Sequence, residues 1–337
     1  MLSWLPSIPY PPPREGYWEP ITSTLDWCEE NYYATPYSAE IVNTMTNLLF
    51  LYLGIKGVYN CVTQGHDRIF LICCLGYLVV GSGSFLFHST LKYPMQLVDE
   101  LSMIYTTCLM CFATFGYAKS KPYQAVLGAS LVSLAAFITL YYHYLEDPTF
   151  HQVAYAILTA VVLIRAIYIM EVNIRPRYKE AERKKVKRAA AQSNGHTNGS
   201  TGRERKGDQE LEEDEKALAT LRTMWIMISY GLSVFLGGFA LWNLDNAFCP
   251  QLRRWRRQIG LPWGLLLEGH GWWHLMTGVG AYFYIVWGIW LRHHLNGTQD
   301  QVELVWPRLV TSMPQIMRID SPSSPSSSNG GSAKKNA

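Results

Sequence analysis

Leu71-Ile72-Cys73-Cys74-Leu75-Gly76-Tyr77-Leu78-Val79-Val80-Gly81-Ser82-Gly83-Ser84-Phe85-Leu86-Phe87-His88 contains no Asp, Glu, Lys or Arg and closes on a histidine. Its length suits the roughly 20 apolar residues with which a helix crosses a bilayer. Comparable runs lie at about 38 to 59, 69 to 88, 96 to 117, 124 to 143, 151 to 171, 222 to 243 and 270 to 291 of the 337 residues, separated by short polar breaks. Hydrophobic residues make up 49% of the chain and charged residues 16%, and this segregation turns that average into a membrane pattern rather than that of a water-soluble domain. The expected fold class is all-α: a polytopic, seven-transmembrane-helix bundle.

Ionisable residues inside such runs are costly and mark sites. Ser84 stands one turn before His88 on the same helix face, giving Ser-x-x-x-His, and Asp99 follows the Lys92-Tyr93-Pro94 break. His270-Gly271-Trp272-Trp273-His274 puts two imidazoles on one face at i, i+4, the spacing a shared metal requires. The second span ends at His88, the third begins just before Asp99 and the seventh begins at His270, so all of them reach one membrane face. Three neutral nitrogen ligands and an open position for water are what a zinc hydrolase needs, and the expected centre is an intramembrane zinc site. Read singly, Ser84 is also a small residue that permits helix packing, and Asp99 a partner that fixes a histidine tautomer. His66, His143, His151, His196, His293 and His294 read as ordinary polar residues. Of these, His151 stands nearest the site, at the start of the fifth span.

Before the first span, Asp26-Trp27-Cys28-Glu29-Glu30-Asn31 and Glu40 concentrate oxygen donors of the kind calcium takes, without the glycine turn and terminal glutamate of an EF-hand. On composition alone the reading as a solvated acidic segment comes ahead of calcium. Cys73, Cys74, Cys108 and Cys111 fall inside spans and Cys61 on the cytoplasmic side. Cys28 and Cys249 share the opposite face and are free to pair there.

Arg68, Lys119, Lys121, the Arg175 to Arg188 cluster and Arg292 follow the first, third, fifth and seventh spans, which makes that side cytoplasmic. Arg253, Arg254, Arg256 and Arg257, between Asn246 and Glu268, disagree with this count. The expected organisation is a lumenal N-terminal segment (1–37), a seven-helix catalytic domain (38–294) with a disordered cytoplasmic insertion (173–221), and a cytoplasmic tail (295–337). Within the insertion, a short helix from Glu210 to Lys216 is compatible with the sequence. The tail ends Lys334-Lys335-Asn336-Ala337, similar to the dilysine signal of endoplasmic reticulum membrane proteins. No basic region or continuous apolar core precedes residue 38, so no cleaved signal peptide is expected.

At Glu15 to Trp18, Ser23 to Tyr32, Ser84 to His88, Thr90 to Tyr93, Gln96 to Leu101, Phe150 to Val153, Trp242 to Asn246 and His270 to Gly278, the chain resembles the alkaline ceramidase family of integral membrane amidases. The 173–221 insertion and the Ser/Pro-rich tail resemble its fungal, phytoceramidase-like members. The resemblance implies a zinc ion on His88, His270 and His274, with Ser84 and Asp99 beside the attacking water. It also implies a calcium site from Asp26, the Trp27 carbonyl, Glu29, Asn31 and Glu40, and a Cys28 to Cys249 disulfide. The implied activity is hydrolysis of the N-acyl bond of ceramide, dihydroceramide or phytoceramide in the endoplasmic reticulum or Golgi membrane. The substrate would be a lipid taken from the bilayer, along a path for which Met45, Phe85, Phe87 and Trp272 are lining candidates. No nucleic acid and no obligate protein partner is implied. Competing readings are a lipid-remodelling hydrolase of anchored proteins and a receptor similar to the adiponectin receptors, both of which share the histidine pattern.

Overall fold

The computed structural model describes residues 6–193, 201–309 and 311–319. Its helices are α1 (Ile41–Thr46), α2 (Leu48–Gln64), α3 (Arg68–Thr90), α4 (Tyr93–Phe115), α5 (Lys121–Leu145), α6 (Pro148–Ser193), α7 (Thr201–Ile259) and α8 (Gly269–Leu295). Among the described residues, seven helical segments are long and apolar enough to cross a membrane, α1 and α2 together forming the first.

Local chemistry sets the ends. Gly65, with φ +62°, closes α2 in the left-handed region that glycine enters without strain. Two residues on, the Asp67 side chain accepts the Ile69 N–H and starts α3. Pro94 and Pro122 sit in the first turns of α4 and α5, where a missing N–H costs nothing. α7 bends at Phe248, whose φ/ψ is non-helical, two residues before Pro250. The bend turns its last stretch back under the N-terminal segment.

α8 is the central helix and α5 the peripheral one. Tyr282, Phe283, Ile285, Val286, Trp287 and Ile289 of α8 are buried against α2, α3, α6 and α7. α3 and α4 run very close together, and a Cβ at Gly83 would stand 3.0 Å from the Asp99 backbone nitrogen. That approach places Ser84 beside Asp99.

Three expectations need correction. Residues 173–193 and 201–221 are not irregular but helical, as extensions of α6 and α7. Alanine, lysine, arginine and glutamate are good helix formers, and Arg175–Glu171 and Lys184–Glu180 make i, i+4 ion pairs. The residues after 295 are not all solvated tail: β1 (Val302–Val305) and β2 (Gln315–Arg318) pair antiparallel, with Val302 and Ile316 buried against the bundle. Finally, the helix that begins near residue 222 does not stop at 243, because α7 carries all four arginines of the disputed break to Ile259. Asn198, His196, Lys334 and Lys335 lie outside the described residues.

Candidate metal centre and substrate cavity

The three histidines converge. His88 comes from the last turn of α3, His270 and His274 from the start of α8, and their exposures are 1%, 4% and 5%. Their ring centroids are 5.0 Å (His88–His270), 4.7 Å (His88–His274) and 4.6 Å (His270–His274) apart. One ligand nitrogen from each lies within 4.8 Å of the other two, and no other such group of three occurs among the described residues.

The second nitrogens decide whether this is a ligand set. His88 Nδ1–H donates to Glu40 Oε2 at 2.5 Å, leaving Nε2 with its lone pair. Thr46 gives its own hydroxyl proton to the Val42 carbonyl (2.9 Å), so at 3.1 Å it accepts from His274 Nδ1–H and leaves that Nε2 free as well. His270 Nδ1 is buried without a hydrogen-bond partner among the described residues, and the Trp27 ring stacks on this imidazole at 4.4 Å. Three buried imidazoles, two of them with tautomers fixed by outer partners, fit a zinc centre. Asp99 and Ser84 line the same space, with Ser84 positioned to donate to the Asp99 carboxylate.

The acidic cluster packs against this centre. Glu40 accepts from the Trp27 N–H (3.1 Å) and from Asn43 Nδ2 (3.2 Å) besides His88. Glu29 caps α1 through the N–H groups of Val42 (2.7 Å) and Asn43 (2.8 Å). Asn31 Nδ2 donates to Asp26 Oδ1 at 3.1 Å, and Asn31 Oδ1 is buried without a partner. Burial pushes the carboxyls of Glu29 and Glu40 up to about 8, and the mutual repulsion of the two adds to the rise at Glu29. Two buried carboxyls and an unpartnered amide oxygen in one segment are donors of the kind a hard divalent cation takes. The Trp27 carbonyl spends one lone pair on Arg253 Nη2 at 3.0 Å.

Cys28 and Cys249 are joined by a disulfide, with Cα atoms 5.4 Å apart. Around it lies a network that sequence reasoning missed. Arg256, 1% exposed, donates to Asp245 Oδ1 (3.2 Å), to the carbonyls of Cys28 (2.8 Å) and Leu267 (3.2 Å), and to Glu268 Oε2 (3.0 Å). Asp245 Oδ1 also takes the Gly269 N–H at the head of α8 (3.2 Å). Arg257 pairs with Glu30, and Arg253 with the Trp27, Cys28 and Glu29 carbonyls. Three of the four arginines that opposed the charge count are thus committed to internal partners. A cluster of arginines with no matching acidic run nearby was the available signal.

From the histidines a cavity of about 430 Å³ descends between α4, α6, α7 and α8. Its walls are apolar and aromatic, including Phe50, Tyr155, Phe235, Phe239, Trp242 and Trp273. None of the four expected lining residues takes part: Met45 and Trp272 are exposed, Phe87 is packed beside Tyr32 and Leu91, and Phe85 faces away from the cavity. Trp273 lines it instead of Trp272 because one residue along a helix turns the side chain by about 100°. His151, set aside as ordinary, is buried and lines the cavity with Glu100.

Seven helices long and apolar enough to cross a membrane, with a buried three-histidine cluster opening on an apolar cavity, define the class of polytopic helix-bundle proteins. The sequence profile of the family described as Ceramidase matches residues 19–317. The mouse (Mus musculus) protein "Alkaline ceramidase 3" is 33% identical over 305 residues, covering 88% of this chain and 95% of its own. "Alkaline ceramidase YPC1" of Saccharomyces cerevisiae is 35% identical over 274 residues, covering 80% and 77%, and "Putative alkaline ceramidase dcd3A" of Dictyostelium discoideum 27% over 299, covering 80% and 86%. The chain belongs to the ceramidase family, and is an enzyme of the hydrolase class.

Proposed function

We propose that the protein is a zinc-dependent intramembrane amidase that cleaves the N-acyl bond of ceramides into a free fatty acid and a sphingoid base. The observation that carries this is the coincidence of His88, His270, His274, Ser84 and Asp99 at the polar end of a long apolar cavity. Zinc, when bound, lowers the pKa of a coordinated water and polarises the acyl carbonyl. Asp99 accepts the proton of the attacking water and returns it to the departing amine. Ser84 donates to the carbonyl oxygen as negative charge develops on it, a contribution of about 3 kcal/mol where comparable donors have been removed. Glu40 and Thr46 hold the imidazoles in the ligating tautomer, and the Trp27, Trp242 and Trp273 rings keep water from the apolar side. The cavity accommodates the hydrocarbon chains, so the lipid reaches the centre without leaving an apolar surrounding.

A calcium ion on Asp26, the Trp27 carbonyl, Glu29, Asn31 and Glu40 would be structural, holding the N-terminal segment over the zinc end. The N-terminus and the disulfide are assigned to the lumen of the endoplasmic reticulum and the C-terminus to the cytosol, since Cys28–Cys249 suits an oxidising compartment. Purified protein given ceramide should release fatty acid, lose this activity to a zinc chelator and regain it with zinc. Absence of release from any ceramide in the metal-loaded protein refutes the proposal.

A further inference from the structure

Beside Asp99, the cavity wall carries a second polar device that the hydrolytic steps do not use. Glu100 is buried on α4, and its Oε2 accepts from the Tyr142 hydroxyl of α5 and from the Gln96 amide nitrogen Nε2 at 3.0 Å. Gln96 is itself fixed by Thr24 of the N-terminal segment, through Thr24 N–H to Oε1 at 2.9 Å and Nε2–H to Oγ1 at 2.8 Å. Across from Glu100, His151 of α6 is 3% exposed, and its Nε2 lies 2.8 Å from the Glu100 carbonyl. A carbonyl only accepts, so Nε2 carries a proton and the ring is locked. The other nitrogen, Nδ1, stands 3.4 Å from Glu100 Oε1 without the geometry of a hydrogen bond, and it has no partner among the described residues.

Four elements therefore converge to hold Oε1 of Glu100 and Nδ1 of His151 at the cavity wall, not bonded to each other, with Nδ1 buried and unpartnered among the described residues. Buried polar atoms of this kind are ordinarily satisfied. A hydroxyl fits here, because both atoms are acceptors and a hydroxyl supplies the proton that Nδ1 or Oε1 lacks. An acyl chain offers nothing to either atom. Resting on the amidase reading, we infer that Glu100 and His151 form a recognition subsite for a hydroxyl of the sphingoid base, next to the reacting amide. Gln96 and Tyr142 act as positioning residues that aim Glu100. The subsite orients the amide over the metal centre by gripping the base side of the lipid, and leaves the acyl side to the apolar walls. Both hydroxyls adjacent to the amide-bearing carbon, at C1 and at C3, have the required chemistry.

The test compares ceramide with two analogues, one lacking the C1 hydroxyl and one lacking the C3 hydroxyl, in zinc-loaded wild type, His151→Phe, Glu100→Gln and Tyr142→Phe. Wild type should show kcat/KM lower on the order of 10- to 100-fold for the analogue missing the contacted hydroxyl, since that analogue leaves buried polar atoms unpaired. In His151→Phe and Glu100→Gln, ceramide should fall by a similar factor with unchanged zinc content, while the analogue stays as it was, so the ratio collapses toward one. Tyr142→Phe should raise KM for ceramide and narrow the ratio part of the way. Wild type that hydrolyses all three lipids equally overturns the inference, with no dependence on whether a variant folds. So does a ratio that survives in the variants, which would mark the pair as structural. Wild type that releases fatty acid from none of the three refutes the amidase reading instead.

Discussion

Replacing Arg256 with methionine tests whether the network around the Cys28–Cys249 disulfide holds the histidine-bearing end of α8 in place. Arg256 is fully buried and spends its guanidinium on Asp245, Glu268 and the carbonyls of Cys28 and Leu267. Methionine has a similar length and fills the space, so the cost is electrostatic rather than a cavity. Removing one partner from a buried ion pair costs about 3 to 5 kcal/mol, and here two carboxylates and two carbonyls each lose one donor, although Cys28 keeps Arg253 and Asp245 keeps the Gly269 N–H. Burial already pushes the Glu268 carboxyl well up from its ordinary range, with Arg256 opposing that rise. The expected loss is about 4 kcal/mol. In purified protein the thermal midpoint should fall by on the order of 10 °C. Because Glu268 and Asp245 bracket Gly269 and His270, zinc affinity should fall as well, while Arg256→Lys, which keeps charge but not the fork, should lie between. A midpoint within about 2 °C of the parent and unchanged zinc content would refute the assignment of this network as the anchor of α8.

His88→Ala, His270→Ala and His274→Ala should each abolish both zinc and turnover, whereas Asp99→Asn should retain zinc and lose most turnover; elemental analysis beside an activity assay separates the two classes. Glu40→Ala removes the acceptor of His88 Nδ1, and should lower zinc affinity on the order of 10- to 100-fold along with any stabilisation by calcium; an unchanged calcium response in a melting assay removes Glu40 from that site. At the opposite end, burial holds the His66 imidazole at about 4, below its ordinary 6.5, where it meets Asn60, His293, Arg318 and the Ile316 carbonyl of β2. A base whose folded pKa is depressed contributes stability that is complete above pH 6.5 and lost as pH falls toward 4, here about 3 kcal/mol. The emission of Trp306, packed on Phe283 and Tyr230, should report loosening of the β1–β2 hairpin over that window; the same acid slope in His66→Phe would exclude His66 as its source.

The spans and the histidine cluster were legible because both are written in local pattern: a run of apolar residues, and histidines at i, i+4 or at a span's end. That Asp99 and Ser84 line the same cavity was legible for the same reason. Glu100 and His151 were not, since their meaning lies in α5 and α6 approaching α4, and a Glu after an Asp at a span's start looks like a solvated pair. The wall of the cavity was misread by one helical position at Trp272, where composition marks an aromatic stretch but only the packed bundle selects Trp273. The arginines after residue 252 were read as a vote on topology. Their partners, at Glu30, Asp245 and Glu268 and on the carbonyls of residues 27–29, became visible only once the Pro250 bend folded α7 back on the N-terminal segment.

That segment also explains how a site built from α3 and α8 is tuned from outside both. α1 is only six residues long, too short to persist without tertiary support, and its N-terminus is held by Glu29. Glu40, at its N-cap, orients His88, and Thr46, its last residue, orients His274. Any cation that draws Glu29 and Glu40 together therefore sets the position of α1, and through it the tautomer and aim of two of the three imidazoles. The Cys28–Cys249 disulfide and Arg253 fix the other side of the same loop to α7. The N-terminal segment is thus part of the metal centre in the mechanical sense. Its loosening should lower zinc occupancy before it unfolds any membrane span, which is the order of events that chelator titration followed by melting would register.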